Sequence, residues 1–168
     1  GPARADDSDH QKAAAAFKVA RAEIAAGNCA AAVPKLEESL AYEPSVGAHL
    51  SLADCYEQVD LLAAWKQLED AAALAASKGD DRENIARDRA AALEPKLSML
   101  HLVFAPSAAP PDLTAMEVHV DGSLVKPYVL RRGVVAMSPG THQIEVTAPH
   151  EKPWRGQVVA RTAGTSVD

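Results

Sequence analysis

The chain has 168 residues, of which 48% are hydrophobic and 24% charged, and its formal net charge is -6. This composition is typical of a folded globular protein and excludes an intrinsically disordered chain. No run of about 18 apolar residues occurs, so the sequence predicts no membrane-spanning helix. Residues 1–96 carry 11 Lys and Arg against 17 Asp and Glu. This acidic balance without a basic stripe argues against nucleic acid as a partner.

The amino terminus, residues 1–7, is predicted to lie outside the fold. Gly1 and Pro2 are typical of the scar left when a protease removes an expression tag. Ala3-Arg4-Ala5 has the small-x-small pattern of a signal-peptidase site, which implies a secretion signal just upstream. The alternative is a frayed terminus with no such meaning. We expect disorder here and a first helix that begins at about Ser8.

The rest of the chain divides into two parts with different spacing of apolar residues. Alanine occurs 27 times in residues 1–96 and 8 times in residues 97–168. In the first part apolar residues recur every three or four positions, as in helices, and in the second they alternate, as in strands. The sequence therefore predicts an α+β fold, with a helical domain over residues 8–96 and a small antiparallel β-sandwich over residues 97–168.

Start and stop signals divide the helical domain into five helices. Gly27 and Gly79 are typical helix-ending residues, and Asn28 suits an N-cap. Asp80 and Glu83 have the spacing that satisfies two free backbone N–H groups reciprocally at a helix start. The predicted helices cover about residues 8–26, 29–42, 46–60, 61–78 and 80–94.

Small residues in the first four helices repeat with a period of about 34 positions. The first unit has Val19, Ala20, Gly27, Ala32, Leu36, Ser39 and Pro44 at the matching positions, and the second has Leu52, Ala53, Tyr56, Ala64 and Trp65. Residues 12–78 thus resemble two tetratricopeptide (TPR) repeats, with helix 5 as the capping helix. The resemblance implies a short solenoid that binds a peptide or a partner protein on its concave face.

The groove positions of the TPR family, transferred to this sequence, supply six candidate partner-binding residues: Phe17, Arg21, Leu50, Asp54, Glu57 and Gln58. They predict a short groove with a basic spot, two acids and two apolar side chains. The alternative is that Phe17 and Leu50 are simply packed core residues.

The β part has turn signals between alternating apolar runs. Asp121-Gly122 and Pro139-Gly140 are typical hairpin or strand-opening pairs, and a last pair of strands is expected around Ala163-Gly164. A strand over residues 99–104 precedes a loop over residues 105–114 that contains three prolines. About six short strands in this part predict the sandwich.

The β part resembles the PEGA family of small envelope-associated domains. The resemblance is carried by Val118, Val120, Asp121, Gly122, Pro139, Gly140, His142, Ile144, Val146, Trp154 and Gly164. A TPR part followed by a PEGA-like part is similar to extracytoplasmic proteins of myxobacteria. The resemblance implies a periplasmic or other envelope location and no enzymatic activity.

The sequence contains few candidates for catalytic, cofactor-binding or metal-binding residues. It has no Gly-x-Ser-x-Gly, no phosphate-binding glycine loop and no HExxH, and no cluster with zinc spacing. His119 and His142 are predicted to lie on opposite faces of their strands, which excludes a shared metal site. We expect no catalytic residue, no cofactor and no metal.

Cys29 and Cys55 are the only cysteines. Cys29 begins helix 2 and Cys55 lies in the second half of helix 3, so an up-down-up stack places them near the same end. They are either joined by a disulfide in an oxidising compartment or are two small buried thiols, and the sequence leaves both open.

Taken together, the sequence predicts a non-enzymatic scaffold or adaptor in the bacterial cell envelope that binds a protein or peptide. The alternative is a module that binds cell-wall polysaccharide through its β domain. Trp154 is expected to be a core residue, and the alternative is a stacking platform for a sugar ring. A third interpretation is the extracytoplasmic sensor part of a larger membrane receptor.

Overall fold

A computed structural model of the chain describes residues 3–103, 112, 114–161 and 166–167. Within these residues the chain forms six α-helices, one 3₁₀ turn and seven strands, which confirms the predicted α+β class. Contacts between Cα atoms divide it into two compact units, Gly1–Ala92 and Leu93–Asp168, where the sequence predicted a boundary between residues 96 and 97. In the described part, every helix is too short or too polar to cross a membrane.

The helical unit contains α1 Ala3–Ala25, α2 Cys29–Tyr42, α3 Val46–Tyr56, α4 Leu61–Lys78 and α5 Arg82–Leu93, the last of which crosses the boundary. The bounds of α2 and α4 agree with those predicted. Helix α1 begins at Ala3 rather than near Ser8, so residues 3–7 are helical in the structure and not a disordered terminus.

Side-chain caps set the starts of the middle helices. Each cap accepts a hydrogen bond from the backbone N–H three residues further on: Asn28 for α2, Ser45 for α3 and Asp60 for α4. Helix α3 ends at Tyr56 and not near Asp60 as predicted, because Asp60 serves as the cap of α4. Gly79, with φ of 63°, ends α4 in the left-handed conformation that glycine adopts without strain.

Among the described residues, two clusters of buried, mostly small side chains form part of the core of the helical unit. The first, shared by α1, α2 and α3, contains Ala20, Ala32, Leu36, Ala48, Leu52 and Cys55. The second, shared by α3, α4 and α5, contains Val46, Ala71, Ala72, Ala75 and Ala86. Because α3 contributes to both clusters, it connects the first helix pair to the second.

A disulfide joins the two cysteines. The Cα atoms of Cys29 and Cys55 lie 5.3 Å apart, and the bond links the start of α2 to the end of α3. Of the two alternatives that the sequence left open, the structure has the bridged one. The bond therefore connects the first helix pair covalently to the second.

The β unit has two small sheets. Strands β1 Ser98–His101, β4 Val134–Met137 and β7 Ser166–Val167 form one sheet in the order β4-β1-β7. Strands β2 Glu117–Val120, β3 Ser123–Leu124, β5 Gly140–Thr147 and β6 Trp154–Ala160 form the other in the order β3-β2-β5-β6. A 3₁₀ turn, Glu94–Lys96, precedes β1, and a short helix α6, Pro127–Arg132, separates β3 from β4.

The β unit departs from the prediction in three respects. Strand β7 pairs with β1 in parallel, with Met99 opposite Ser166, so the sheets are not wholly antiparallel. Helix α6 was not predicted, although Pro127 at its first turn and Gly133 after its end (φ of 69°) are typical helix boundaries. The predicted strand over 99–104 is β1, which ends at His101.

Some predicted features fall outside the described residues. They are Phe104, most of the proline-containing loop, the turn at Ala163-Gly164, and Gly1 and Pro2.

The turn at Asp121-Gly122 is confirmed as a two-residue hairpin loop. Val120 pairs with Ser123 across it, and both central residues have positive φ, 51° for Asp121 and 79° for Gly122. Two residues with positive φ are what a type I′ turn requires, and Asp-Gly is among the pairs that supply them most readily.

Replacing both cysteines by serine should destabilise the helical unit by about 3 kcal/mol, because the unfolded chain loses a cross-link that closes a loop of intermediate length. Urea unfolding followed by Trp65 fluorescence in a Trp154→Phe background measures this, since Trp65 lies buried in α4. Dithiothreitol should lower the stability of the cysteine-containing protein by a similar amount and leave the double-serine variant unchanged. Equal stability of the two proteins without reductant would contradict the prediction.

Candidate functional site

The six predicted partner-binding residues are partly core and partly surface. Arg21, Asp54 and Gln58 are exposed, and Phe17, Leu50 and Glu57 are half-buried. Phe17 packs against the first core cluster and Leu50 against the second. Each of these two apolar residues therefore contributes to a core and keeps part of its side chain exposed.

Helices α1, α3 and α5 converge at Gly47. A Cβ atom at Gly47 would lie 3.5 Å from Phe17 Cζ on α1 and 3.6 Å from Arg82 Nη1 on α5. Residues 47, 50 and 54 follow one another along one side of α3 at helical spacing. We call the surface that contains Phe17, Gly47, Leu50, Asp54, Arg82 and Arg89 the inner face. Ile85, between the two arginines along α5, is 54% exposed.

A cleft of about 220 Å³ opens at one end of the inner face. Its apolar wall includes Ala13, Ala14, Phe17, Pro44 and Val46. This volume is comparable with one large apolar side chain. The cleft can therefore accept a single anchoring residue of a partner, a common arrangement at protein interfaces.

Charged groups on the rim of the cleft pair with one another. His10 Nδ1 lies 2.6 Å from Glu43 Oε2, and Lys78 Nζ donates to the Pro44 carbonyl at 3.4 Å. Arg82 Nε donates to Asp80 Oδ1 at 2.9 Å, and this pairing lowers the pKa of Asp80 to about 2. The rim thus has little net charge, and the apolar wall distinguishes the cleft from its surroundings.

At the other end of the inner face, Arg89 holds both predicted acids. Its Nη2 donates to Asp54 Oδ1 at 2.7 Å and to Glu57 Oε1 at 2.6 Å. Partial burial opposes the charge of Arg89, but the hydrogen bonds to Glu57 and Asp54 outweigh it and raise the pKa of the guanidinium. Asp54 and Glu57 therefore form a compensated cluster with Arg89, and not the open acidic spot that was predicted.

Arg21 and Gln58 stand apart from this cluster. In the described part of the chain, no hydrogen bond or ion pair joins either of them to the other four predicted residues. The structure thus brings Asp54 and Glu57 together through Arg89, and places Phe17 near Gly47.

Among the described residues of the β unit, Trp154 is the exposed aromatic side chain. Trp154 is 56% exposed, so its predicted core position is wrong. Its indole lies over Gly156, because a Cβ atom there would fall only 2.3 Å from Trp154 Cη2. The absence of a side chain at Gly156 lets the ring lie close to the strand.

The opposite face of the same sheet is polar. His119, Glu145 and Arg155 lie opposite one another on β2, β5 and β6 and line a shallow depression of about 270 Å³. Arg155 Nε donates to Glu145 Oε2 at 2.9 Å, and this bond lowers the pKa of Glu145. The His142 side chain lies on the other face of this sheet, as predicted. No group of three His, Cys, Asp or Glu residues in the described part of the chain is arranged to hold a metal ion.

Comparison with protein-family models, with curated proteins and with solved structures finds no match for this chain.

Three residues of the inner face were missed by the sequence reasoning. Gly47 lies in the first turn of α3, where a glycine in a helix is itself a signal of close packing or close approach. Arg82 was assigned to the polar side of the capping helix, and Arg89, seven positions further along α5, was given no role. Their spacing of two turns was the available indication that both lie on one side of the helix.

Replacing Arg89 by methionine should lower the stability of the helical unit by about 1 kcal/mol, because it leaves Asp54 and Glu57 as neighbouring like charges. Urea unfolding followed by Trp65 fluorescence measures the loss, which should shrink in 1 M salt. Arg87→Met is the matched control: Arg87 pairs with Glu83 within the same helix and is more exposed. Equal losses of stability in Arg89→Met and Arg87→Met would contradict the prediction that Arg89 stabilises the unit by holding Asp54 and Glu57.

Proposed function

We propose that this protein is a non-enzymatic interaction module that binds a peptide or a partner protein on the inner face. The observation that carries the proposal is the cleft beside Gly47, whose apolar wall remains open where three helices converge. Exposed Ile85 extends this apolar surface along α5. The partner we expect is a segment with one large apolar anchor.

A TPR-like architecture supports this placement of the site. Ala20, Leu52 and Ala53 are fully or almost fully buried, as the helix-contact positions of such repeats require, whereas Val19, predicted at the same contact as Ala20, is 47% exposed. The exposed, charged side of α5 suits the polar cap that a short solenoid needs. In a repeat of this kind the first helices of each pair, here α1 and α3, form the binding surface.

The disulfide supports a location outside the cytoplasm. Disulfides form and persist in oxidising compartments and are rare where glutathione keeps thiols reduced. Together with the PEGA-like β unit, this favours the bacterial periplasm or another envelope compartment. A small β-sandwich built from the two sheets of the β unit is part of the same proposal.

Filling the cleft tests the proposed site. Peptides selected from a random phage library on the immobilised chain should bind Gly47→Leu at least about tenfold more weakly, because the new side chain occupies the anchor position. Gly47→Ala is the matched control, since its methyl group makes ordinary contacts at 3.5 and 3.6 Å and improves helix propensity. It should retain binding within about threefold.

Circular dichroism should show both variants folded. Selected peptides that bind Gly47→Leu as well as they bind the wild type would refute the inner face as the site.

A second candidate function is supported by Trp154. Its indole has one face on Gly156 and is more than half exposed, which is the geometry of a platform on which the apolar face of a sugar ring stacks. In this function the β unit binds cell-wall polysaccharide and the helical unit is a spacer.

Sedimentation with purified cell-wall sacculi tests the second function. Trp154→Ala should reduce binding several-fold, and Gly156→Ala should do so without removing the indole, because the new methyl group displaces the ring. Val159→Ala is the control, since Val159 is exposed on the opposite face of the same strand. Sacculi binding that survives both of the first two substitutions would exclude Trp154 as the platform.

A further inference from the structure

His142 lies between two oxygen atoms on the interior-facing side of β5. Its residue exposure is 8%. The Nδ1 atom is 2.7 Å from Asp121 Oδ2, and the Nε2 atom is 2.7 Å from the Ser138 carbonyl oxygen. Both distances are those of good hydrogen bonds.

The two partners of His142 both accept hydrogen bonds. A backbone carbonyl has no proton to donate, and an ionised carboxylate has none either. A neutral imidazole carries one N–H and can satisfy only one of the two acceptors, whereas an imidazolium carries two. The Asp121 side chain is half exposed and its other oxygen accepts the Gln143 N–H at 2.8 Å, both of which favour the ionised carboxylate.

We infer that His142 is held as an imidazolium that clamps two turns of the β unit together, and that this unit loosens as the pH rises above neutrality. Asp121 belongs to the loop between β2 and β3, and Ser138 lies between β4 and β5. Strand β4 is in the three-stranded sheet and β5 in the four-stranded one. The clamp therefore acts where the chain passes from one sheet to the other.

The residues that flank His142 on the neighbouring strands are apolar. On β6 it is paired with Val158, and on β2 the residues on the same side of the sheet are Val118 and Val120. Among the described residues, the charged group that hydrogen-bonds to the ring is Asp121, with the Ser138 carbonyl on the other nitrogen. An apolar setting strengthens such a charged pair when both members are present and penalises either member alone.

The direction of the pH effect follows from this arrangement. Burial by itself lowers the pKa of His142, but the hydrogen bonds to Asp121 and Ser138 outweigh burial and raise it above the usual 6.5. The bond from His142, followed by that from the Gln143 N–H, lowers the pKa of Asp121 below its usual 3.8. The stability that charged His142 gives the β unit is therefore fully present below pH 6.5, and it is lost as the pH rises through the raised pKa of His142. The stability that ionised Asp121 gives this unit is fully present above pH 3.8, and it is lost as the pH falls through the lowered pKa of Asp121.

Nuclear magnetic resonance of the histidine side chains in the full chain tests the inference directly. His142 should carry protons on both nitrogens at pH 6.5 and titrate above that value. Asp121→Asn should reduce the proton affinity of His142 several-fold, because the ring loses its charged hydrogen-bond acceptor. Asn-Gly is also well suited to a type I′ turn, so this variant should keep the hairpin.

A stability measurement gives the second readout. In a Trp65→Phe background Trp154 is the only tryptophan, so its fluorescence follows the β unit. Between pH 6 and 9 the stability of this unit should fall, and His142→Gln should remove most of that fall. His119→Gln, on the opposite face of the same sheet, should leave it unchanged. A single neutral tautomer of His142 at pH 6.5, or the same pH dependence with and without His142, would overturn the inference.

Discussion

The helical unit depends on the close approach of helices through alanine. Ala20, Ala32, Ala48, Ala64 and Ala75 are all fully buried. Each brings only a methyl group to the core, and the hydrophobic stabilisation from one such group is about 0.8 kcal/mol, well below that of a buried leucine. The small side chains thus let the helices lie close together, but each contributes little hydrophobic stabilisation. The disulfide, the three N-caps and the Arg89 cluster add to the stability that the larger buried side chains Leu36, Leu52, Trp65 and Leu68 supply.

The same constraint explains where the candidate site lies. Where alanines face one another, helices touch and leave no space. At Gly47 a third helix approaches, and the larger Phe17 and Arg82 side chains stand on either side of a position without a side chain. A cleft results at this point of the helical unit, and part of its wall is apolar because Phe17 packs against one adjoining core and Val46 belongs to the other. The site is therefore a by-product of the packing.

Local signals in the sequence were sufficient for most of the fold. The bounds of α2 and α4 and the Asp121-Gly122 hairpin follow from caps and turn residues that act over two to four positions. Features that depend on distant partners were not predictable in this way. Arg89 pairs with Asp54 and Glu57 from another helix, and Glu83 pairs with Arg87 where local spacing predicted a capping box. Trp154 was assigned to the core because large aromatics are usually buried, and the reason for its exposure, Gly156 beneath it, lies in strand geometry.

The parallel pairing of β1 with β7 has a consequence for the order in which the two units fold. Helix contacts within residues 3–92 join segments that are neighbours along the chain, and such contacts form quickly. Strand β1 instead acquires this neighbour from position 166, after the intervening strands have been made, and the entropy of closing so long a loop slows the step. Until then one side of β1 is an open edge able to pair with another chain. Strand β7 therefore covers an edge of β1 that would otherwise be open to pairing with another chain.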